Sequence, residues 1–368
     1  MPSKKLRDKP FSESTVAKLG IFEDYTQAWI PVWRESTIHI FDLFAGTGYD
    51  KEGVPGSPIR ILNKIKEHLQ YVLERKTRIV VHLNEFEPKE KHQENFELLK
   101  ESITAYERQN ENVKNAIQIK LYNEDFERLF PKLLDSIRSY PSLVFLDQNG
   151  IRFLSQTYLN EFANMKQTDV LYFAAASYFR RFGREAEFRK HLELDLDALE
   201  KKPYKFVHRE LVDQLRGRLP VETDLKLYPF SLQKGANIFG VIFGASHPLA
   251  VDKFLDIAWR LNNVNGEANF DIDDDWSKRQ GELFEPNLTK KESFQRSLTE
   301  RLLWEEIVNN KQALDFTYSE GHPASQAHDV LMKLKRDGRI AFEGTSPLVN
   351  YRQVYREHRI LEYSVMKK

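Results

Sequence analysis

Thr37 to Gly48, TIHIFDLFAGTG, is the stretch from which the fold is read. Its first half is an apolar, β-branched run that predicts a buried strand. Its second half is a glycine-containing turn. Asp42 falls near the strand's end, and Gly46 and Gly48 follow at alternate positions. A strand can carry a carboxylate to the edge of a sheet, and glycines beside it let a ligand approach the backbone. Such an edge suits the adenosine half of a cofactor. The alternative is an ordinary strand ending in a flexible turn, and the rest of the chain decides between the two.

Working outward, strand and helix alternate. YDKEGVPGSP, residues 49–58, reads as a loop. Ser57 then caps, and Pro58 starts, a helix. Arg78 to Leu83 reads as a second strand ending at Asn84 and Glu85. A helix follows from about Lys89 to Gln109, then a third strand, Ala116 to Tyr122, ending at Asn123, Glu124 and Asp125. After a helix over Phe126 to Ser139, SLVFL forms a fourth strand that ends at Asp147. A helix from Ser155 to Met165 leads to the fifth strand, Asp169 to Ala175. This rhythm predicts a parallel sheet with helices on both faces and a ligand outside the strands' carboxyl ends. Leu225 to Gln233 and Ala236 to Ser246, with Lys234 and Gly235 between, predict an antiparallel hairpin. Five alternating units and a hairpin make an α/β fold: a seven-stranded, Rossmann-like methyltransferase sheet with an antiparallel terminal hairpin. A dehydrogenase would continue with parallel crossovers and would carry G-x-G-x-x-G, which is missing.

The flanks complete the plan. Residues 1–20 read as polar and loose. Phe22, Tyr25, Trp29 and Trp33 give a helix with an aromatic core face. The expected division is an N-terminal extension, 1–36; a methyltransferase-like domain, 37–261, with a helical insert at 176–223; an acidic linker, 262–290; and a winged helix-turn-helix, 291–368. In that last unit SFQRSLTERLLWEEIVNN and PASQAHDVLMKLKRDG are helices, RIAFEG is a strand, and Tyr351 to Tyr363 returns as strand or helix.

Composition bounds the chemistry. The 368 residues include 25 Phe, 15 Tyr and no Cys, with a formal net charge of zero. A core of ordinary size is affordable, while disulfides, thiolate zinc sites and a catalytic thiol are excluded. The charged start and the lack of a long apolar run predict a cytoplasmic protein that does not enter a membrane. Neutrality argues against a general basic coat and leaves local patches open. Asp271, Asp273, Asp274 and Asp275 lack the glycine and distal glutamate of a calcium loop, so no metal site is expected.

FDLFAGTG with GSP, NEFEP after the second strand, FLD-x-x-G after the fourth, and TDVLYFAAASYFRRFG together resemble the three-Cys-motif partner proteins. The resemblance runs from about Tyr25 to Tyr363. It implies a bacterial protein with an S-adenosylmethionine methyltransferase-like domain and a C-terminal winged helix. It also implies a partner that carries three cysteines and looks like a radical-cofactor enzyme. The chain departs from the family at Thr47 and Gln148, where proline is expected.

The resemblance gives each strand end a role. Phe44, Ala45, Gly46 and Gly48 bring backbone to the methionine part of S-adenosylmethionine, with Ser57 of GSP beside them. Asp42 accepts from the amino group or from water. Glu85, or alternatively Glu87, takes the ribose hydroxyls. Asn123 and Asp125 contact the adenine or cap the next helix. Asp147, with Asn149, stands at the reacting edge, where a carboxylate orients an amine and takes its proton. The prolines and aromatic of a D-P-P-Y base-methylating motif are missing there. Arg180 and Arg181, with Arg184, bind phosphate or pair with local acids. Ser325, Gln326, Lys333 and Lys335 lie on the recognition helix and face DNA or RNA. The expected function is S-adenosylmethionine binding and methyl transfer on or with nucleic acid in a bacterial defence or modification system. The alternative is a catalytically inactive adapter that docks the three-cysteine partner.

Overall fold

A computed structural model of the chain describes residues 10–11, 13–86, 94–147, 156–175, 195–235, 237–278 and 288–366. It divides into two compact units, Met1–Ser246 and His247–Lys368. No helix among the described residues is long and apolar enough to cross a membrane.

Unit 1 is built on a seven-stranded sheet of order β3-β2-β1-β4-β5-β7-β6. The strands are β1 (Thr37–Asp42), β2 (Arg78–Asn84), β3 (Ile117–Tyr122), β4 (Ser142–Leu146), β5 (Thr168–Ala175), β6 (Lys226–Lys234) and β7 (Asn237–Ala245). The first five are parallel and β7 runs antiparallel to both β5 and β6. This is the order of the Rossmann-like methyltransferase sheet. β1 and β4 are buried runs, as strands covered on both faces must be. The order reverses between β1 and β4, where Asp42 pairs in register with Phe145. Ligand crevices of open parallel sheets form at such a reversal.

Helices α1 (Glu13–Trp29), α2 (Ser57–Glu67), α3 (Leu69–Glu74), α4 (Glu94–Gln109), α5 (Glu111–Ala116), α6 (Phe126–Ser139), α7 (Gln156–Ala163), α8 (Leu196–Lys201) and α9 (Val207–Arg216) surround the sheet. On one face, Phe22 of α1 stacks on Phe145 of β4 at 4.0 Å. The Tyr25 hydroxyl of α1 donates to Asp169 of β5 at 2.7 Å, and its ring meets Phe243 of β7 edge-on. On the other face, the His208 ring of α9 donates to the Ala174 carbonyl at 2.9 Å. Gly240 opposite must be glycine, because a Cβ there would come within 2.1 Å of that ring. β1, β2 and β3 share a further buried chain on this face, in which His82 bridges His39 at 3.0 Å and the Tyr122 hydroxyl at 2.9 Å.

Two expectations change here. Residues 13–20 are helical rather than loose, and Trp33 lies beyond the helix, after a short 3-10 turn at Ile30–Val32. Gly20 and the charged start hid a helix whose inward residues simply continue the spacing of Phe22 and Tyr25. Helix α2 begins at Ser57 itself, with Gly56 in the capping position, so Ser57 is not its cap.

Unit 2 contains α10 (Pro248–Leu261), α11 (Asp275–Lys278), α12 (Lys290–Leu303), α13 (Asn310–Ser319) and α14 (Ala324–Arg336). A two-stranded antiparallel sheet joins β8 (Ile340–Ala341) to β9 (Ser364–Val365), and Asn309 bridges Glu362 beside it. The connection between the strands holds a π-turn, Arg352–Arg356, where a longer strand or helix was expected. Asn310 ties that connection down: its side chain donates to the Leu348 and Arg359 carbonyls and accepts from Leu361 N–H. A capping box, Thr289 with Glu292, starts α12. The described part of the acidic stretch after α10 is folded on itself. Asn262 donates to the carbonyls of Ala268 and Phe270, and Asn265, Ala268 and Ile272 are buried.

Candidate functional site

The carboxyl edge at the β1–β4 reversal collects three acids from three strands. Asp42 ends β1 and is fully buried. Burial pushes its carboxyl up to about 7; the Ser57 hydroxyl acts the other way, and Asp147 and Glu85 push it further up. One oxygen receives a long 3.4 Å hydrogen bond from Phe44 N–H. The other, Oδ2, is buried with no hydrogen-bond partner among the described residues. A buried carboxylate oxygen left so is costly, and a ligand donor would satisfy it.

The turn after Asp42 is held from β2. Ala45 N–H donates to the Asn84 carbonyl and Gly46 N–H to Glu85 Oε2, both at 2.8 Å. The Asn84 side chain joins three strand ends, donating to the carbonyls of Leu43 and Glu124 and accepting from Glu124 N–H. Gly46 and Gly48 both have positive φ, +67° and +91°. At Gly48 a Cβ would come within 2.6 Å of Ser102, so the position admits no side chain. Beside Gly46 nothing lies within 4 Å of a Cβ, which leaves room at the turn. Glu85, like Asp42, is buried.

Asp147 follows β4 and forms an ion pair with Lys18 of α1. The Lys18 Nζ also lies 4.2 Å from the centre of the Phe173 ring of β5. Lys18 was not singled out from sequence, and Asn84 was named only as a polar end of the second strand, with no role. Lys18 stands four residues before Phe22, on the face that continues to Tyr25 and Trp29, and that spacing was the available signal.

The structure thus brings together Asp42, Gly46, Glu85 and Asp147, with Phe44 and Ala45 in the same turn. Phe44 packs on Phe126. Asp125 caps α6 by accepting Glu127 N–H at 2.9 Å, and Asn123 is exposed. Asn149, Arg180, Arg181, Arg184, Gln148 and Glu87 lie outside the described residues. In unit 2, Ser325 and Lys333 of α14 are exposed. Gln326 is instead buried and paired with His322 Nδ1 at 2.7 Å. Lys335 turns to the connection after β8, donating to the carbonyls of Phe342 and Gly344 and covering the Phe342 ring. Among the described residues no cluster of side chains could hold a metal ion.

No family model matches the chain, and no curated protein matches it. Solved structures similar to it include the delta-N METTL16 methyltransferase domain, with 10% identity over 63% of this chain and 84% of that one, at a TM-score of 0.30. Another is the O-methyltransferase from Bacillus cereus in complex with SAH, with 13% identity over 64% and 91%, at a TM-score of 0.29.

Proposed function

We propose that unit 1 binds S-adenosylmethionine across the β1–β4 crevice and that the protein acts on or with nucleic acid. The observation that carries this reading is the unpartnered, buried Oδ2 of Asp42 beside an open glycine turn. Glu85 stands next along the same edge and would accept the ribose hydroxyls while it also holds Gly46 N–H. Asp42 accepts from the ligand's amino group or from an ordered water. Three neighbouring carboxylates make an edge that favours a positively charged ligand. When bound, the cofactor supplies an electrophilic methyl group. Asp147 would orient an acceptor amine and hold its proton. Calorimetric titration with S-adenosylmethionine and its demethylated product tests the reading, and no heat or thermal shift at millimolar ligand overturns it.

Unit 2 is read as a winged helix. Three helices followed by a strand, a pinned connection and a returning strand support this. Ser325, Lys333 and the exposed Arg336 of α14 would meet DNA or RNA phosphate. The sequence resemblance supports a setting in bacterial nucleic-acid modification or defence, with a three-cysteine partner protein.

A second reading has its own support. Asp147 is already paired with Lys18, and the chain lacks the prolines and aromatic of a base-methylating edge. A catalytically silent adapter that docks the three-cysteine partner fits those two facts. Transfer of labelled methyl groups to DNA, RNA or a co-expressed partner separates the readings.

A further inference from the structure

The Lys18–Asp147 pair is an unusual place for a lysine. A lysine ordinarily keeps its ammonium in water. Here the Lys18 side chain is 7% exposed and that of Asp147 19%. The ammonium sits between a carboxylate at the end of β4 and the face of Phe173, an arrangement that stabilises a cation from two sides. It also lies at the strand-order reversal, one strand from Asp42. Lys18 is the cation paired there among the described residues. The Asp147 charge also pushes the buried Asp42 carboxyl up, so the two acids share one edge and a cation paired with Asp147 relieves their repulsion.

We propose that Lys18 is an internal stand-in for a positively charged ligand group, and that a ligand's cation exchanges with it at Asp147. The crevice is thereby set to distinguish a charged ligand from its neutral counterpart. This rests on the cofactor reading above. S-adenosylmethionine carries a sulfonium, and S-adenosylhomocysteine differs from it by lacking that methyl group and that charge. The Lys18 ammonium competes with the first ligand for Asp147 and leaves the second largely unaffected. Lys18 is accordingly a selectivity residue, acting through Asp147.

The test is titration of both ligands into full-length wild type, Lys18→Met, Lys18→Arg and Asp147→Asn. Lys18→Met is expected to raise affinity for S-adenosylmethionine by roughly tenfold relative to S-adenosylhomocysteine, the scale of one half-buried charge contact. Lys18→Arg keeps the charge and the wild-type ratio. Asp147→Asn removes the carboxylate and lowers the ratio at least several-fold. A purely structural Lys18 would shift both affinities together and leave the ratio alone. Binding of both ligands with the ratio unchanged in Lys18→Met and Asp147→Asn therefore overturns the inference while leaving the cofactor reading intact. A folded Lys18→Met protein that binds neither ligand also overturns it. Wild type that binds neither removes the cofactor reading and this inference with it.

Discussion

Glu85 accepts the amide hydrogen of Gly46 at 2.8 Å, across 39 residues of sequence. The acid at the end of β2 therefore fixes the turn at the end of β1 before any ligand arrives. A bound ribose would share this carboxylate with the Gly46 amide.

That sharing makes two substitutions informative. Glu85→Ala should weaken S-adenosylmethionine binding by about 1.5–3 kcal/mol, the range for hydrogen bonds to a charged group. It should also loosen the Gly46 turn. Glu85→Gln keeps an acceptor for Gly46 N–H and should lose less. Glu87→Ala should have the smaller effect of the two alanine changes. Calorimetry on the three variants checks this, and equal small losses would place the ribose elsewhere.

Asp42 should trade stability against binding. Its carboxyl is pushed up to about 7 in the folded protein from an ordinary 3.8. A raised folded value means the folded state holds the proton over that window, so this group's contribution is lost as pH rises from about 4 to 7. Asp42→Asn has no charge to bury and should melt several degrees higher than wild type at pH 8, with the gap closing toward pH 5. The same variant should lose ligand binding. Wild-type affinity for a cationic ligand should rise between pH 6 and 8. A variant that melts lower than wild type at pH 8 would contradict the burial argument.

His322 predicts acid sensitivity of unit 2. The ring is buried against Phe294 and held below its ordinary 6.5, at about 3, chiefly by burial. Here the unfolded state takes the proton first. Stability is fully present above pH 6.5 and falls as pH drops toward 3, by up to about 1.4 kcal/mol per pH unit. Thermal melts followed on unit 2 between pH 7 and 4.5 should show this slope. His322→Leu should flatten it, whatever it costs at neutral pH.

Lys333 and Lys335 should behave differently although they are two residues apart. Lys333→Ala should weaken nucleic-acid binding and lower the logarithmic salt slope by about one. Lys335→Ala removes the donor to the carbonyls of Phe342 and Gly344, so its main effect should be on stability. A loss of about 1 kcal/mol is expected, since the group is partly exposed. Filter binding across a salt series and a melt separate the two.

The sheet was legible because short apolar or alternating runs recur along the chain, four of the five parallel strands are stopped by an acid or amide, and helices fill the gaps. Asp42, Glu85 and Asp147 converge because strand order brings their ends together, and alternation in sequence implied as much. What escaped was set by distant partners. Lys18 has its counter-ion 129 residues away, and Asn84 reaches Glu124. Gln326 looked like a surface amide on a recognition helix, but His322 one turn earlier draws it inward. Asn310 and Lys335 hold the β8–β9 connection through backbone carbonyls, which leave no trace in side-chain patterning.

The docking of α1 has a consequence for synthesis. Phe22 and Tyr25 leave the ribosome long before their partners in the sheet, Phe145, Asp169 and Phe243. For most of translation this helix can pack on α2, where Glu23 pairs with Arg60 and Lys64, but not on its own face of the sheet. Its aromatic face waits, open to chaperones or to other nascent chains, until β7 has emerged. Fragments ending before residue 245 should therefore aggregate through the aromatic face of α1, and domain-boundary expression trials on this protein should keep residues 13–245 together.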